Sequence, residues 1–461
     1  MQPERQELVE RIRSDLANGR ALALASYLAS LHPADIAEVL GLLDRDERQQ
    51  VLHLVDRAEE AHVLEAADEA VRAEVLDELD DEEVSEIVEE LDPDEAADLL
   101  SEMPEERAEH VLELMAPPEA REVGDLLRYP PESAGGRMSP ELVRVREDLT
   151  VGEVLAEIRA NERMREEDVY NIYVVDAAER AVGVVKLWSL LRADPAAPVR
   201  EVMEQVQTIP ADMDQEDVAA LFQKYDMAAA PVVDSTGRLL GRITFDDIQD
   251  VVVEEANEDI SKFAGTDDDE LASSSALTTA RLRLPWLLVC LAGTFVSGSV
   301  ISHFGGTIKA HFILMIFVPA VMATAGNSGL QTATMTVRSL ATGHADRIGA
   351  RAIVLKQIRA SALVALTCGV VAGLVGAVWS HLSPQHMSTG SAILLGSIIG
   401  GAMFAAICLS SFLGVLVPMT FRKLGVDPAV ASGPLITTSS DIFSLVVYLG
   451  VATALLVRFA P

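Results

Sequence analysis

Five apolar stretches of membrane-crossing length lie in the C-terminal part of the chain, and they limit the possible folds more than any other feature. Each stretch reaches the roughly 20 residues that a helix needs to cross a bilayer. Because unpaired backbone groups are costly in lipid, each stretch is predicted to be a membrane helix. The predicted spans are residues 284–304, 311–336, 353–379, 391–421 and 434–457.

Charge divides the chain near residue 280. Residues 281–461 contain three acids and eleven lysines or arginines, which gives a net charge of +8. Residues 1–280 contain 69 acids and 25 bases, a net charge of −44, so the whole chain carries −36. This acidity argues against nucleic acid as a partner and favours divalent cations, which bind oxygen ligands. The alternative is a solvated acidic surface that binds no ligand.

Basic residues predict the orientation in the bilayer. Arg281 and Arg283 precede the first span and Arg422 and Lys423 follow the fourth, whereas residues 380–390 contain no lysine or arginine. By the positive-inside rule, the acidic part is cytoplasmic and the C-terminus lies outside the cell (inner) membrane.

Residues 1–133 are predicted to form an acidic, all-α superhelical domain. Leu79, Leu91, Met103 and Met115 recur every twelve residues, and each is followed within two residues by an Asp or Pro at a predicted helix start. Such a period fits one short helix and a turn per repeat. The domain alone fits protein interaction or spacing, and its acids would bind cations only where another domain closed over them.

Two βαββα patterns follow, in residues 134–199 and 200–247, and they resemble a tandem pair of CBS domains, an α+β module that senses adenine nucleotides or ions. Thr244 and Asp247 match the Thr-x-x-Asp motif that contacts phosphate and ribose in nucleotide-binding CBS repeats. The first repeat has Lys186 to Ser189 at that place and lacks the acid. The resemblance implies ATP as a candidate ligand at one site.

Residues 248–280 are predicted to form an acidic connecting helix and a linker. Seven carboxylates fall within residues 246–259, and they repel one another unless counter-ions or a basic partner lie near. The alternative is a solvated connector. Beyond it, residues 281–461 form the predicted five-helix transmembrane domain.

Asp441 is the only acid in any of the apolar spans. A charge at that depth costs at least about 2.5–3.5 kcal/mol and marks an ion or proton path, or else a protonated carboxyl capped by Ser440 or Ser444. In the second span, Asn327 and Gln331 accompany glycines that are predicted to interrupt the helix. Such a polar segment suits a water-filled passage or close helix packing.

The segments Gly326–Gln331, Gly425–Ala429 and Ser440-Asp441, together with the domain order, resemble the MgtE family of magnesium channels and transporters. The resemblance implies a homodimer in the lipid bilayer, with a Mg²⁺ pore at the subunit interface. Asp441 would then face a hydrated Mg²⁺ ion, Asp427 would be a second ion site at the cytoplasmic mouth, and Asn327 and Gln331 would line the path.

The same resemblance implies a gate that cytosolic Mg²⁺ closes by bridging acids of the helical domain, the CBS pair and the connecting helix. The matching positions are Asp214, Glu216, Asp226, Asp247, Asp250, Glu255, Glu258 and Asp259, with Glu59, Asp94 and Asp98 in the helical domain.

Two other functions are compatible with the sequence. One is a proton- or sodium-coupled transporter in which Asp441 is the coupling carboxylate, and the other is a membrane-anchored sensor that transports nothing. The sequence has no Gly-x-x-x-x-Gly-Lys phosphate loop, so ATP hydrolysis is not expected and the protein is predicted not to be an enzyme.

Overall fold

The computed structural model describes residues 3–160, 170–266, 270, 275–341, 349–382, 388–431 and 433–459. The chain divides into two compact units, Met1–Glu255 and Ala256–Pro461. Most of the predicted linker after the connecting helix lies outside the described residues.

Ten helices open the first unit, and α2 to α10 begin at regular intervals of twelve residues. The interval predicted from residues 80–117 therefore extends back to residue 21. The helices are α1 Pro3–Ala17, α2 Ala21–Leu28, α3 Pro33–Leu40, α4 Arg45–Leu52, α5 Arg57–Glu65, α6 Glu69–Glu78, α7 Asp81–Val88, α8 Pro93–Ser101, α9 Glu105–Leu114 and α10 Pro117–Leu126.

Acidic residues start several of these helices, as the sequence predicts. Asp80 Oδ1 accepts a hydrogen bond of 2.9 Å from the Glu83 N–H, and the Glu83 carboxylate accepts one of 3.0 Å from the Asp80 N–H. Asp44 and Glu47 make the same reciprocal pair. These capping boxes satisfy backbone donors that a short helix otherwise leaves unpaired.

Several helices of the array pack against the helix after next: α3 against α5, α5 against α7, α7 against α9 and α8 against α10. Ile36, Leu64 and Ile87 are fully buried in this core. Ion pairs join alternate helices at the surface: Arg57 contacts Glu86 at 2.8 Å and Arg107 contacts Asp81 at 2.8 Å. Apolar burial and paired charges thus hold together a domain that is rich in acids.

The two CBS-like repeats have the predicted βαββα order. In each repeat the middle strand pairs in parallel with the first strand and antiparallel with the third. The elements are β1 Val143–Arg146, α11 Val151–Ala160, β2 Asn171–Val175, β3 Ala181–Lys186, α12 Leu187–Arg192, β4 Ile209–Pro210, α13 Gln215–Tyr225, β5 Ala229–Val233, β6 Leu239–Thr244 and α14 Phe245–Ala264.

The core of the array continues into the second repeat. Ile209, Phe222 and Ile248 belong to the same buried cluster as the helices of the array. The acidic connecting helix is α14, which begins three residues earlier than residue 248 and runs to Ala264.

In the second unit, five of the described helices are long and apolar enough to cross a membrane, as predicted. A short helix, α16, follows the first of them. The helices are α15 Ala276–His303, α16 Gly305–Ala310, α17 Ile313–Ala341, α18 Ala350–Leu382, α19 Thr389–Lys423 and α20 Pro434–Phe459.

The glycine interruption predicted for the second span is wrong. Helix α17 runs without a break through Gly326 and Gly329, and it also includes Pro319. The glycines allow close approach of neighbouring helices instead, since α17 packs against both α19 and α20.

Candidate functional site

Asp441 lies two turns into α20 and is partly exposed in the single chain. A Cβ atom added to Gly326 of α17 would lie 3.5 Å from Asp441 Oδ1, so the carboxylate is next to a bare stretch of backbone. Ser444 donates its hydroxyl hydrogen bond, at 3.2 Å, to the Asp441 backbone oxygen and not to the carboxylate. Ser440 Oγ bonds to Ser410 Oγ at 2.7 Å. In the described residues, therefore, neither serine caps the carboxylate, which removes the main support for a purely structural Asp441.

A junction of serines joins three membrane helices beside Asp441. The Ser410 hydroxyl of α19 donates to the Ala325 carbonyl of α17 at 2.6 Å and lies 2.7 Å from Ser440 Oγ of α20. One residue further along α19, Ser411 Oγ lies 2.8 Å from Ser328 Oγ. All of these serines are buried. The junction fixes the separation of α17 and α20 at the level of Asp441.

Gly329 is the position at which this junction tolerates least change. A Cβ there would lie 2.5 Å from Ser410 Oγ and 2.7 Å from Ser440 Oγ. We expect Gly329→Ala to destabilise the membrane unit by about 1–3 kcal/mol, the usual cost of overpacking. The measurement is the melting temperature of the purified protein. Gly401→Ala is the control, because a Cβ at Gly401 meets nothing within 4 Å, and equal melting temperatures for the two variants would contradict the prediction.

Asn327 and Gln331 lie one helical turn apart on α17, and both are exposed. Gly326 and Ser328 beside them are buried. Two amide side chains are thus uncovered on a membrane helix, next to the helix surface that meets Asp441. Polar groups at membrane depth require water or another protein surface.

A second group of acids gathers in the first unit, where α8 of the array meets the start of α14. Burial and the neighbouring Asp247 carboxylate raise the pKa of Asp94 to about 7. Burial also raises the pKa of Asp98 to about 6, despite the opposing charge of Arg137. The pKa of Asp247 is raised by burial as well, against its bonds with Thr244. The structure therefore places Asp94 beside Asp247, and Asp98 beside Arg137 and Glu254.

Other carboxylates at this junction carry no specific sequence signal. Burial and the charge of Glu65 raise the pKa of Glu95 to about 7. Burial also raises the pKa of Glu65, and the charge of Asp250 acts in the same direction. We name this group the acidic junction. Its members are Glu65, Asp92, Asp94, Glu95 and Asp98 of the array, and Asp247, Asp250 and Glu254 of α14.

The remaining predicted acids of the first unit are more dispersed. Asp214 caps the start of α13 and accepts from the Glu216 N–H at 3.0 Å, whereas Asp226 ends the same helix with a positive φ of 50°. The helix α13 separates Asp214 from Asp226 by about 18 Å, so the two share no ion site within one chain. Glu59 lies half-buried in the first turn of α5, and Glu255 accepts from Gln215 Nε2 at 2.6 Å.

In the second unit, the end of α14 contacts the segment that precedes α20. Lys262 Nζ lies 3.1 Å from Asp427 Oδ2 and also pairs with Glu258 one turn earlier. Burial alone would lower the pKa of Lys262, but the bonds and charges of Glu258 and Asp427 raise it. Burial, and then Asp427, raise the pKa of Asp259. Four charged groups thus meet at the predicted cytoplasmic mouth.

The backbone approaches still more closely beside this charged group. A Cβ added to Gly433 would lie 1.9 Å from the carbonyl oxygen of Phe263, so only glycine fits there. Helix α20 begins at the next residue, Pro434, about 10 Å along the helix from Asp441. The end of the connecting helix therefore touches the residue that immediately precedes the helix of the intramembrane acid.

Thr244 and Asp247, the predicted nucleotide residues, bond to each other. Asp247 Oδ2 accepts from the Thr244 N–H at 2.8 Å and from the Thr244 hydroxyl at 2.7 Å. This pair caps the start of α14. Lys186 stands at the equivalent position of the first repeat and makes no side-chain cap for α12.

Among the residues that the structure describes, no three His, Cys, Asp or Glu side chains converge closely enough to enclose a metal ion. The donor chemistry still fits Mg²⁺, which keeps several of its waters and contacts carboxylates through them.

Family models match three parts of the chain. The intracellular N domain of MgtE matches residues 31–132, the CBS domain matches residues 134–196 and 199–254, and the divalent cation transporter model of MgtE matches residues 318–451. The magnesium transporter MgtE of Thermus thermophilus is 39% identical over 336 residues, which is 72% of each chain. The chain belongs to the MgtE family.

Another MgtE magnesium transporter, from Bacillus subtilis, is 34% identical over 330 residues, or 71% of each chain. A solved structure of the cytosolic domain of the Mg²⁺ channel MgtE in complex with ATP is 38% identical. It covers 53% of this chain and 99% of that chain, with a TM-score of 0.49. The soluble part of a magnesium transporter is 29% identical and covers 55% of this chain and 99% of that chain, with a TM-score of 0.48.

In this MgtE-family chain, sequence reasoning missed the residues that support the candidate sites. Ser410 and Gly329 hold the membrane helices beside Asp441, and Arg137, Gln215 and Lys262 are the polar and basic partners of the acids. Gly329 lies in the segment Gly326–Gln331, but the other four residues belong to no motif, so only the three-dimensional contacts reveal their roles.

Proposed function

We propose that this protein is a Mg²⁺ channel that carries Mg²⁺ across the cell membrane down its electrochemical gradient and closes when cytosolic Mg²⁺ is abundant. The observation that carries the proposal is Asp441, the one acid in the membrane helices, uncapped and next to the exposed amides of α17. Membership of a divalent cation transporter family supports the same function.

The proposed pore is shared by two copies of the chain. Asn327, Gln331 and Asp441 are at least partly exposed in one copy, and polar groups at that depth need water or protein around them. A two-fold axis places two Asp441 carboxylates opposite each other. Two carboxylates that contact a hydrated ion satisfy the preference of Mg²⁺ for oxygen ligands and retained water. The acidic part is cytoplasmic in this proposal, and the C-terminus lies outside.

The proposed gate begins at the acidic junction. Without divalent ions, the carboxylates of α8 and α14 repel one another. Burial is the main cause of the raised pKa values of Asp94 and Asp98, and the charges of Asp247 and Glu254 on α14 raise them further. Mg²⁺ neutralises that repulsion. Bound ions therefore favour the arrangement in which the array packs on the connecting helix.

The proposed gate ends at Asp427. Because the end of α14 touches the segment before α20, a change in α14 reaches the helix of Asp441 directly. Glu258, Asp259 and Asp427 together hold more negative charge than Lys262 neutralises. A Mg²⁺ ion near them adds the missing positive charge and holds α14 in place.

Neutralising Glu258 and Asp259 is expected to weaken inhibition by Mg²⁺. In the double variant Glu258→Gln and Asp259→Asn, the Mg²⁺ concentration that halves the flux should rise at least about fivefold, because two ligand charges are lost. The measurement is flux from liposomes at a series of Mg²⁺ concentrations on the cytosolic side. Glu204→Gln is the control, since Glu204 forms a similar pair with Lys186 outside the connecting helix. An inhibition curve that does not shift contradicts the proposed gate.

ATP is proposed as a ligand of the second CBS repeat, at Thr244 and Asp247. The support is the matched motif and the CBS family models. A ribose hydroxyl at this place would replace Thr244 as the hydrogen-bond donor to the Asp247 carboxylate. ATP and the Mg²⁺ ions of the acidic junction would therefore compete for that carboxylate.

A further inference from the structure

Arg137 lies in the loop between α10 and β1, and its guanidinium contacts three different elements. Its Nε donates to Gln215 Oε1 at the start of α13 at 3.0 Å. One terminal nitrogen lies 3.5 Å from Asp98 Oδ2 of α8, and the other donates to Glu254 of α14. The array, the second CBS repeat and the connecting helix therefore meet at one cation.

The surroundings of Arg137 hold it in that position. Its backbone N–H donates to the Ser133 carbonyl at 3.0 Å, and its side chain is only 20% exposed. Gln215, which accepts from Arg137, is buried, and its Nε2 donates a hydrogen bond of 2.6 Å to the Glu255 carboxylate. Two successive carboxylates of α14 are thus tied, directly and through Gln215, to the Arg137 guanidinium.

A guanidinium among carboxylates has the charge effect of a bound cation without depending on ion concentration. It is always ionised, and its planar donors suit several acceptors at once. Asp98 and Glu254 would repel each other without it, as the opposing influences of Arg137 and Glu254 on Asp98 indicate. Asp94 and Asp247, two other acids of the junction, make no contact with Arg137 among the described contacts, so its charge acts mainly on Asp98 and Glu254.

We propose that Arg137 is a tethered cation that holds the helical array on the connecting helix in the absence of Mg²⁺, and so sets how much Mg²⁺ is needed for closure. This inference rests on the proposed gate. It assigns to Arg137 a positioning role that the sequence motifs of the chain do not include.

The test is protection of the full-length protein against chymotrypsin, in detergent, at increasing Mg²⁺. In EDTA, we expect Arg137→Gln to be cleaved within the cytosolic part about fivefold faster than the wild type, because one bridging charge is lost. Added Mg²⁺ should restore protection in the variant, but with a midpoint at higher concentration. Arg128→Gln is the matched control, since Arg128 is 78% exposed and, among the described contacts, pairs only with Asp125 three residues earlier.

Further variants keep the test decisive if Arg137→Gln folds poorly. Glu254→Gln should accelerate cleavage in EDTA in the same direction, and adding it to Arg137→Gln should change the rate by less than the product of the two single effects. Arg137→Lys should be intermediate, because it keeps the charge and loses the planar donors. Equal cleavage of wild type and Arg137→Gln in EDTA overturns the inference, even if Mg²⁺ protects both. If Mg²⁺ protects neither, the proposed gate fails, and a difference in EDTA still supports the bridge.

Discussion

Replacing Asp441 with asparagine is expected to abolish Mg²⁺ uptake while the protein stays folded. The substitution keeps the shape of the side chain and removes the negative charge that faces the hydrated ion. In a low-dielectric surrounding, loss of that charge raises the barrier to ion entry by several kcal/mol, so uptake should fall at least about 100-fold. The measurement is Mg²⁺ entry into liposomes that contain a fluorescent indicator, with elution of the variant at the wild-type volume as the check on folding.

Tyr448→Phe is the control for this experiment. Tyr448 is fully buried on the same helix and donates to the Leu314 carbonyl at 3.2 Å, so the variant loses a polar group of α20 away from Asp441. It should retain uptake. Wild-type uptake by Asp441→Asn would refute the pore assignment. Repeating the assay with and without a proton gradient separates a channel from a coupled transporter, because only the latter needs the gradient.

Acid pH is expected to stabilise the Mg²⁺-free protein. In the folded chain the pKa is about 7 for Asp94 and Glu95 and about 6 for Asp98, above the values of about 4 for exposed carboxyls. The folded state thus binds more protons than the unfolded state between about pH 4 and pH 7, and stability falls as pH rises through that window. In EDTA, the melting temperature of the cytosolic unit should be at least about 3 °C higher at pH 5.5 than at pH 8.

Mg²⁺ should oppose this fall in melting temperature with rising pH. Because ions bind the ionised carboxylates, added Mg²⁺ should raise the melting temperature more at pH 8 than at pH 5.5. The double variant Asp94→Asn and Asp98→Asn should flatten the pH profile. Asp148→Asn is the control, because Arg146 lowers the pKa of the exposed Asp148, which is ionised throughout this range. A melting temperature that rises with pH in EDTA would contradict the account of the acidic junction.

Patterns with a local cause allowed much of the fold to be predicted. The twelve-residue interval of the array follows from helix caps such as Asp80 and Pro93, and the CBS-like repeats follow from the alternation of strands and turns. The five membrane helices follow from length and hydropathy, which leave a chain in lipid few alternatives. The predicted break in α17 was wrong for a tertiary reason. Gly329 allows Ser410 and Ser440 to approach α17 closely, and the backbone hydrogen bonds of the helix stay intact.

The sites were less predictable because their partners are distant in sequence. Ser410 and Ala325 are 85 residues apart, and Arg137 and Glu254 are 117 residues apart. The sequence identifies Asp441 because a lone charge in an apolar span is costly wherever its neighbours lie. It does not show which acids of the cytosolic part converge, since exposed Asp226 and half-buried Asp94 look equally acidic in a sequence.

The regular array has a consequence for how the domain can vary in length. Since helices such as α3, α5 and α7 pack on the helix after next, contacts are short-ranged along the stack, and the repeats before α5 are remote from the acids of α8. The odd-numbered helices form one row of the stack and the even-numbered helices the other. Losing two whole repeats keeps every helix in its own row, whereas losing one moves each earlier helix to the other row and separates the partners of the ion pairs. Related domains can therefore grow or shrink at their N-terminal end in pairs of repeats, with the surface that meets the connecting helix left unchanged.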